Sequence, residues 1–454
     1  MLNPYIFREY DIRGKVADDF PPEIVVLLGR AFGTFVKRSG GQEIALSGDI
    51  RLTTPDLIDA FREGVLSTGT DVINLRIIPT PVNYYSMYKL NVSGAVQITG
   101  SHNPPEFNGF KLSLHKKPVY GSQITSLKKI IELGDFEYGE GTETRYKILP
   151  DYKQMILSKI NIERTMRVVM DCANAAAAIN APEIFRDLGV ELTELYCEPD
   201  GTFPNHHPDP TVEKNLADLI TTVQSGSYDV GIAFDGDADR IGVVDETGDI
   251  IWADQLLTLF LPEVLDPGGE IIYDVKCSQA LEDMIKRYGG KPVMWKTGHS
   301  LIKQRMADLG CKLGGEMSGH IFFADEYFGC DDAIYVAARL VQLLSRSEKT
   351  LSELKAEIPT YYSTPEMRLE AESDEEKFRI AKKAVDYFQD AYDCSTVDGV
   401  RIRFGDGWGL VRSSNTQPVI VCRFEADSPE RMKEIKDLVM GKLQEFGNLE
   451  TNDI

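Results

Sequence analysis

The sequence predicts three related α/β domains followed by a smaller α+β domain, on three observations. A strand–helix–strand unit is written three times, each time opening on an apolar strand that ends in Asp. The units recur at roughly 100 to 125 residues, the size of ordinary domains. The tail breaks the pattern, with several short strands between two long amphipathic helices.

The first unit is Ile44-Ala45-Leu46-Ser47-Gly48-Asp49, a helix over 55–67 with Leu57, Ile58, Phe61 and Val65 on one face, and a strand over 71–75. The second is Val168-Val169-Met170-Asp171, a helix over 181–188 and a strand over 190–196. The third is Ile271-Ile272-Tyr273-Asp274, a helix over 279–288 and a strand over 292–295. In the tail, Ser373 and Glu376 form an S-x-x-E capping box ahead of a helix. Strands follow over 400–404, 409–412 and 419–424. Ser428-Pro429 opens a last helix, with Met432, Ile435, Leu438, Val439 and Leu443 expected on its buried side. Pro359 to Ser363 reads as a linker, and softer joints fall near 148 and 250. The expected domains are therefore 1–147, 148–249, 250–362 and 363–454.

Four polar stretches carry chemistry. Thr99-Gly100-Ser101-His102-Asn103-Pro104 follows the apolar run Ala95 to Ile98, so Ser101 is expected on a bend just past a strand end. Open α/β sheets place ligands there. Lys111 comes ten residues later, after Asn108-Gly109, which reads as a second turn. A hydroxyl can carry a phosphoryl group and a nearby amine can manage charge or protons. A polar loop with Ser101 as a helix N-cap is the competing reading.

Asp235-Gly236-Asp237-Ala238-Asp239-Arg240 lies between the strands 230–234 and 241–244. Three carboxylates at alternating positions on a tight turn repel one another, and a hard cation such as Mg²⁺ would draw them together. Glu246 is twelfth from Asp235, as in a calcium-binding EF-hand. The sixth position, however, is Arg240 where that loop needs glycine, and the flanks are strands. Gly314-Gly315-Glu316-Met317-Ser318-Gly319-His320 offers sugar-binding groups on a turn, or simply a polar hairpin. Arg412-Ser413-Ser414-Asn415-Thr416-Gln417-Pro418 lies between two tail strands and suits a phosphate, or is a surface turn. Lys276, Lys296 and His299 lie just past strand ends of the third unit.

Composition narrows the partners. A formal net charge of −22 argues against nucleic acid and anionic membrane surfaces. No apolar run is long enough to span a bilayer. Met1-Leu2-Asn3-Pro4 lacks the basic start of a secretory leader. Seven scattered cysteines without a CxxC pair read as reduced thiols of a cytoplasmic protein. Oligomeric state is open between monomer and dimer.

T-G-S-H-N-P, D-G-D-A-D-R, G-E-M-S-G-H and R-S-S-N-T-Q-P, in this order, resemble the α-D-phosphohexomutase superfamily. The closest likeness is to its bacterial phosphomannomutase/phosphoglucomutase branch. It runs from Phe7-Arg8-Glu9-Tyr10-Asp11-Ile12-Arg13-Gly14, through Trp295 to Leu301 and Phe328-Gly329-Cys330-Asp331-Asp332, into the tail. The phosphoglucosamine mutase branch is less similar, with S-A-S-H-N-P at the serine and Gln where Met317 stands.

The resemblance implies four domains around a central cleft, interconverting hexose 1-phosphate and hexose 6-phosphate, of mannose or glucose, through a hexose 1,6-bisphosphate. It implies Ser101 as the phosphoserine, with Asp235, Asp237 and Asp239 holding Mg²⁺ together with a phosphoserine oxygen. Lys111, Arg240 and His299 would stand beside the transferring group, with Lys111 or His299 as general base. Glu316, Ser318 and His320 would face the sugar. Arg412, Ser413, Asn415 and Thr416 would grip the idle phosphate, and Tyr10, Arg13 and Lys276 would position the substrate. Glucose 1,6-bisphosphate would be intermediate and activator. A Mg²⁺-dependent sugar phosphatase and a non-catalytic sugar-phosphate sensor are the other readings. One departure is visible: Cys172-Ala173-Asn174-Ala175 stands where relatives often have C-G-N-G, and the alanines are expected to force a different backbone.

Overall fold

Each of the three Asp-ended strands forms the middle of its own sheet, and its alternating side chains decide what each face packs against. In this computed structural model, which describes residues 2–414 and 419–451, those strands are Glu43–Gly48, Arg167–Asp171 and Glu270–Asp274. Ile44 and Leu46 face a local cluster with Phe32 and Phe61, whereas Ala45 faces the opposite way. Val169 and Ile272 likewise face local clusters. Ala45, Val168, Met170, Ile271 and Tyr273 all enter one continuous hydrophobic core shared by the first three domains. Period-two alternation thus supplies each domain with a private face and a common face.

The three sheets repeat one strand order. In the first, Asp71–Ile77, Glu43–Gly48 and Gly94–Ile98 run parallel, and Phe107–Leu114 returns antiparallel beside the last. In the second, Glu191–Leu195, Arg167–Asp171 and Val230–Phe234 run parallel, with Ile241–Asp245 returning. In the third, Lys291–Trp295, Glu270–Asp274 and Leu313–Gly315 run parallel, with Ile321–Phe323 returning. The serine loop, the acidic turn and the Glu316 loop each occupy the turn between the third parallel strand and the returning one. Three different chemistries therefore sit at one topological position.

The tail sheet is antiparallel, in the order Asp393–Ser395, Val400–Arg403, Gly407–Ser413, Val419–Ala426, Met367–Glu370 and Glu450–Thr451. The helices Asp374–Ala391 and Pro429–Phe446 pack on it and enclose a separate core that includes Phe388, Ile402, Phe424 and Val439. Ser373 and Ser428 cap these helices, each accepting a backbone N–H with its side chain. Among the described residues, no helix is long and apolar enough to cross a membrane.

Several expectations change. Asn108-Gly109 lies inside the strand Phe107–Leu114 rather than at a turn. Gly109 is there for close approach, because a Cβ would stand 2.4 Å from the Ile12 carbonyl oxygen. Tyr362–Ser363, read as linker, pairs with Val419–Ala426. Ile250–Ile251 extends the second sheet just past residue 249. Leu438 is exposed, whereas Ile435, Val439 and Leu443 are buried in the tail core and Met432 packs against it. Ala173 occupies the left-handed region (φ 49°), its N–H bonded to Asp171 Oδ1 at 2.8 Å, so alanine adopts this turn rather than abolishing it. Cys172 and Cys197 are not scattered: they follow adjacent parallel strands, and their free thiols lie 3.1 Å apart.

A separate tail core has a thermal consequence. Phe388→Ala removes a fully buried ring and is expected to cost about 3–5 kcal/mol. Calorimetry should then show the tail unfolding as an early transition, with the main transition of the first three domains little moved.

Candidate active site

Ser101 sits two residues past Thr99, on the turn between Gly94–Ile98 and Phe107–Leu114. Its backbone is left-handed (φ 49°) and no helix follows, so it is not an N-cap. What holds this conformation is Arg51, whose guanidinium is fully buried beneath the loop. Nη2 donates to the Ser101 and Asn103 carbonyls, each at 2.6 Å. Nη1 donates to Pro104 at 2.6 Å and Phe107 at 3.0 Å. Asp49, at the end of the first strand, balances its charge at 3.2 Å and accepts from Thr99 Oγ1 at 2.7 Å. The fork geometry of arginine suits this, since its five donors meet several acceptors at once.

The acidic turn comes up against this loop from the second domain. Ser101 Oγ lies 2.9 Å from Asp235 Oδ2 and 3.2 Å from His102 Nδ1. Gly236 makes the approach possible: a Cβ there would fall 2.1 Å from the Ser101 carbonyl oxygen. Asp235, Asp237 and Asp239 are all buried, with ligand atoms within 4.8 Å of one another. Lys111 Nζ, on the returning strand, donates to Asp237 Oδ2 at 2.7 Å and to Asp239. Thr80 Oγ1 adds a donor to Asp237 at 2.5 Å. Burial and the two neighbouring carboxylates push Asp235 well above the usual carboxylate range. Burial alone would depress Lys111, but Asp237 and Asp239 outweigh it and raise its pKa. Asp237 Oδ1 and Asp239 Oδ1 are buried without a hydrogen-bond donor, which suits a cation at this triad.

The third domain closes the opposite side. Arg240 Nε donates to His320 Nε2 at 3.0 Å, joining the acidic turn to the end of the Glu316 loop. His299 opens the helix His299–Leu309, with Tyr10 edge-on to its ring at 6.4 Å between centroids. Burial, then Lys303, pulls His299 down to about 4, so its imidazole is neutral near pH 7. Tyr10 donates to the Thr297 carbonyl at 2.7 Å. Glu316 accepts the Gly298 N–H, and Ser318 Oγ lies 3.4 Å from Glu316 Oε2.

The tail reaches the same place. Arg412 Nε donates to Asp398 Oδ2 at 2.9 Å, and that carboxylate also accepts the Thr297 N–H at 3.1 Å. Lys276 pairs with Glu366 of the tail at 3.2 Å. Arg401 donates to the Val275 and Cys277 carbonyls, and Arg423 to that of Lys276, fixing the strand end that carries Lys276. Arg13 pairs with Asp11 at 2.5 Å. Ser413 ends the strand Gly407–Ser413, Asn415 and Thr416 fall outside the described residues, and Lys296 is exposed.

Four family models match in succession, described as phosphoglucomutase/phosphomannomutase alpha/beta/alpha domains I, II and III and C-terminal domain. They cover residues 4–137, 150–248, 252–362 and 366–442. A phosphomannomutase/phosphoglucomutase of Pseudomonas aeruginosa is 44% identical over 441 residues, 97% of this chain and 95% of the relative. The chain belongs to the phosphoglucomutase/phosphomannomutase family.

A phosphoglucomutase of Neisseria meningitidis is 40% identical over 450 residues, 98% of each chain. The crystal structure of a phosphoglucomutase/phosphomannomutase family protein from Burkholderia thailandensis superposes with a TM-score of 0.93. It is 40% identical and covers 99% of this chain and 100% of its own. In this phosphohexomutase, Asp49, Arg51, Thr80, Asp331 and Asp398 serve the site without having been singled out for it from the sequence. Asp49 had a signal, as the Asp closing a buried strand, and Asp331 lay in the string Phe328 to Asp332 that carries the resemblance.

Replacing Arg51 would leave the Asp49 carboxylate and four carbonyls short of donors. Arg51→Met is expected to lower stability by about 3–5 kcal/mol, read as a fall in the urea midpoint. Arg51→Lys should recover only part of it, because one ammonium cannot span the same acceptors.

Proposed function

We propose that this cleft interconverts hexose 1-phosphate and hexose 6-phosphate, of mannose and of glucose, by way of a phosphoserine at Ser101. The chain is a hexose phosphate mutase, an isomerase. The observation that carries the residue-level reading is Ser101 Oγ at 2.9 Å from Asp235, inside a buried acidic triad bridged by Lys111. In the first half-reaction a sugar hydroxyl oxygen bonds to the phosphorus and the Ser101 Oγ–P bond breaks. The product is a hexose 1,6-bisphosphate, with glucose 1,6-bisphosphate as the activating form. After it turns around, the other phosphate returns to Ser101.

His299 is the better general base. It is neutral near pH 7, whereas Lys111 between two carboxylates stays protonated. Lys111 and Arg240 therefore supply fixed positive charge beside the moving phosphoryl group. Glu316 and Ser318, with His320 beside them, read the sugar hydroxyls. Arg412 and Ser413, with Asn415 and Thr416, hold the idle phosphate, and Tyr10, Arg13 and Lys276 steer the substrate. Asp235, Asp237 and Asp239 fit Mg²⁺, with a phosphoserine oxygen as a further ligand; the bound cation would offset charge on the phosphoryl oxygens. The four sheets support the domain spans 1–147, 148–249, 250–362 and 363–454, apart from Ile250–Ile251, which pairs within the second sheet, and Tyr362, which pairs within the fourth. Seven free thiols suit the reducing cytoplasm.

The test is a coupled assay with mannose 1-phosphate and glucose 1-phosphate, following free phosphate in parallel. Both 6-phosphates should form with little free phosphate, Ser101→Ala should abolish turnover, and chelation should stop it until Mg²⁺ returns. Phosphate release matching isomerisation would mean a phosphatase. Activity confined to glucosamine 1-phosphate would move the chain to the phosphoglucosamine branch.

A further inference from the structure

Two of the seven thiols lie against each other, and none of the four motifs holds them. Cys172 follows the strand Arg167–Asp171, and Cys197 lies two residues past the end of its parallel neighbour Glu191–Leu195. Their Sγ atoms are 3.1 Å apart, although 25 residues separate them in sequence. Neighbouring strands stand about 4.8 Å apart, inside the roughly 4.4–6.8 Å between Cα atoms that a disulfide spans. Cys172 is fully buried and Cys197 half-buried. Cys394, also half-buried, packs its Sγ against the Phe388 carbonyl instead. Burial, then the Cys197 thiol, pushes Cys172 well above the usual thiol range, so the nucleophile of the pair is Cys197, which reaches solvent.

The two turns that carry these thiols support the junction of the first two domains. Ala173 and Asn174 after Cys172, and Tyr196 before Cys197, hold left-handed backbone at φ 49°, 56° and 52°. Surrounding hydrogen bonds maintain such a conformation. Asn174 laces the turns together: its N–H donates to the Tyr196 carbonyl at 2.8 Å and its Nδ2 to the Glu198 carbonyl at 2.9 Å. Its Oδ1 accepts from Asn205 Nδ2 at 2.7 Å. His206 Nε2 lies 3.0 Å from Asp171 Oδ2, and His207 Nε2 lies 2.5 Å from the His102 carbonyl oxygen, one residue past Ser101. On the other side, Ala176 donates its N–H to the Gly236 carbonyl of the acidic turn at 3.3 Å. A shift of either cysteine therefore passes through short hydrogen-bonded segments to both the serine loop and the acidic turn.

We propose that Cys172 and Cys197 are a redox-modification site, where hydrogen peroxide joins them in a disulfide that slows the mutase by displacing the serine loop against the acidic turn. Cys197, having lost its proton to water, attacks one peroxide oxygen. The O–O bond breaks, and the hydroxide that leaves takes up a proton to become water. Cys197 is then a sulfenic acid. Cys172 Sγ attacks Cys197 Sγ, the S–S bond forms and the S–O bond breaks. The departing hydroxide takes the Cys172 proton as a second water. Each sulfur has given one electron to the peroxide. In a reducing compartment such a bond is transient, and a thiol reverses it.

The test treats the full-length enzyme with hydrogen peroxide, blocks the remaining thiols with iodoacetamide and maps the peptides by mass. Turnover of glucose 1-phosphate is measured on the same samples. A cross-linked pair of peptides carrying Cys172 and Cys197 should accumulate while kcat falls several-fold, and dithiothreitol should restore both. Cys197→Ser should start at wild-type kcat and keep it through the same treatment, as should Cys172→Ala. Cys172 and Cys197 recovered on separate peptides after peroxide overturn the proposal, and this outcome needs neither a variant nor any role for Ser101. A disulfide that forms with kcat unchanged overturns its link to the active site. A Cys197→Ser enzyme that loses kcat as wild type does rejects the pair as the cause.

Discussion

Three carboxylates buried side by side repel one another, and the site depends on how that repulsion is held in check. Lys111 crosses from the first domain to bridge Asp237 and Asp239, and Thr80 reaches Asp237 from the same domain. Asp235 is left facing Ser101. Removing two charges from water is costly unless pairing and hydrogen bonds compensate. That cost ties the first two domains together at the place where the phosphoryl group must be handled. The same carboxylates raise the pKa of Lys111 against its burial and keep the ammonium charged.

The repeated topology explains how three loops from distant sequence meet. Each α/β domain offers the turn between its last parallel strand and the returning strand, at the carboxyl end of its sheet, where open α/β folds bind ligands. A shared core fixes the first three turns relative to one another. The tail has its own core and joins through Arg401, Arg423 and the Lys276–Glu366 pair.

The motifs were legible because their residue types are rare on turns unless they do something: alternating acids, a serine before His-Asn-Pro, an arginine among hydroxyls. Arg51 was not, because four of its acceptors are backbone carbonyls, which leave no trace in residue identity. Asp331 lay in a string that carries the resemblance, but nothing set it apart from Asp332, which faces Tyr152 and Tyr327. Asn108-Gly109 misled because turn propensity and close packing favour the same residue. Leu438 did so because helical periodicity marks a wider stripe than the sheet covers. Ala173 shows that a backbone anchored by Asp171 can carry an alanine through the left-handed region.

The central claim is that one serine passes the phosphoryl group to the sugar and takes one back. The most direct measurement is a single turnover of enzyme carrying a radiolabelled phosphate on Ser101, mixed with unlabelled glucose 1-phosphate. The account predicts that label leaves the protein at least as fast as steady-state turnover, appearing first in hexose 1,6-bisphosphate and then in hexose 6-phosphate. Label that remains on the protein during turnover, or leaves as inorganic phosphate, would contradict it.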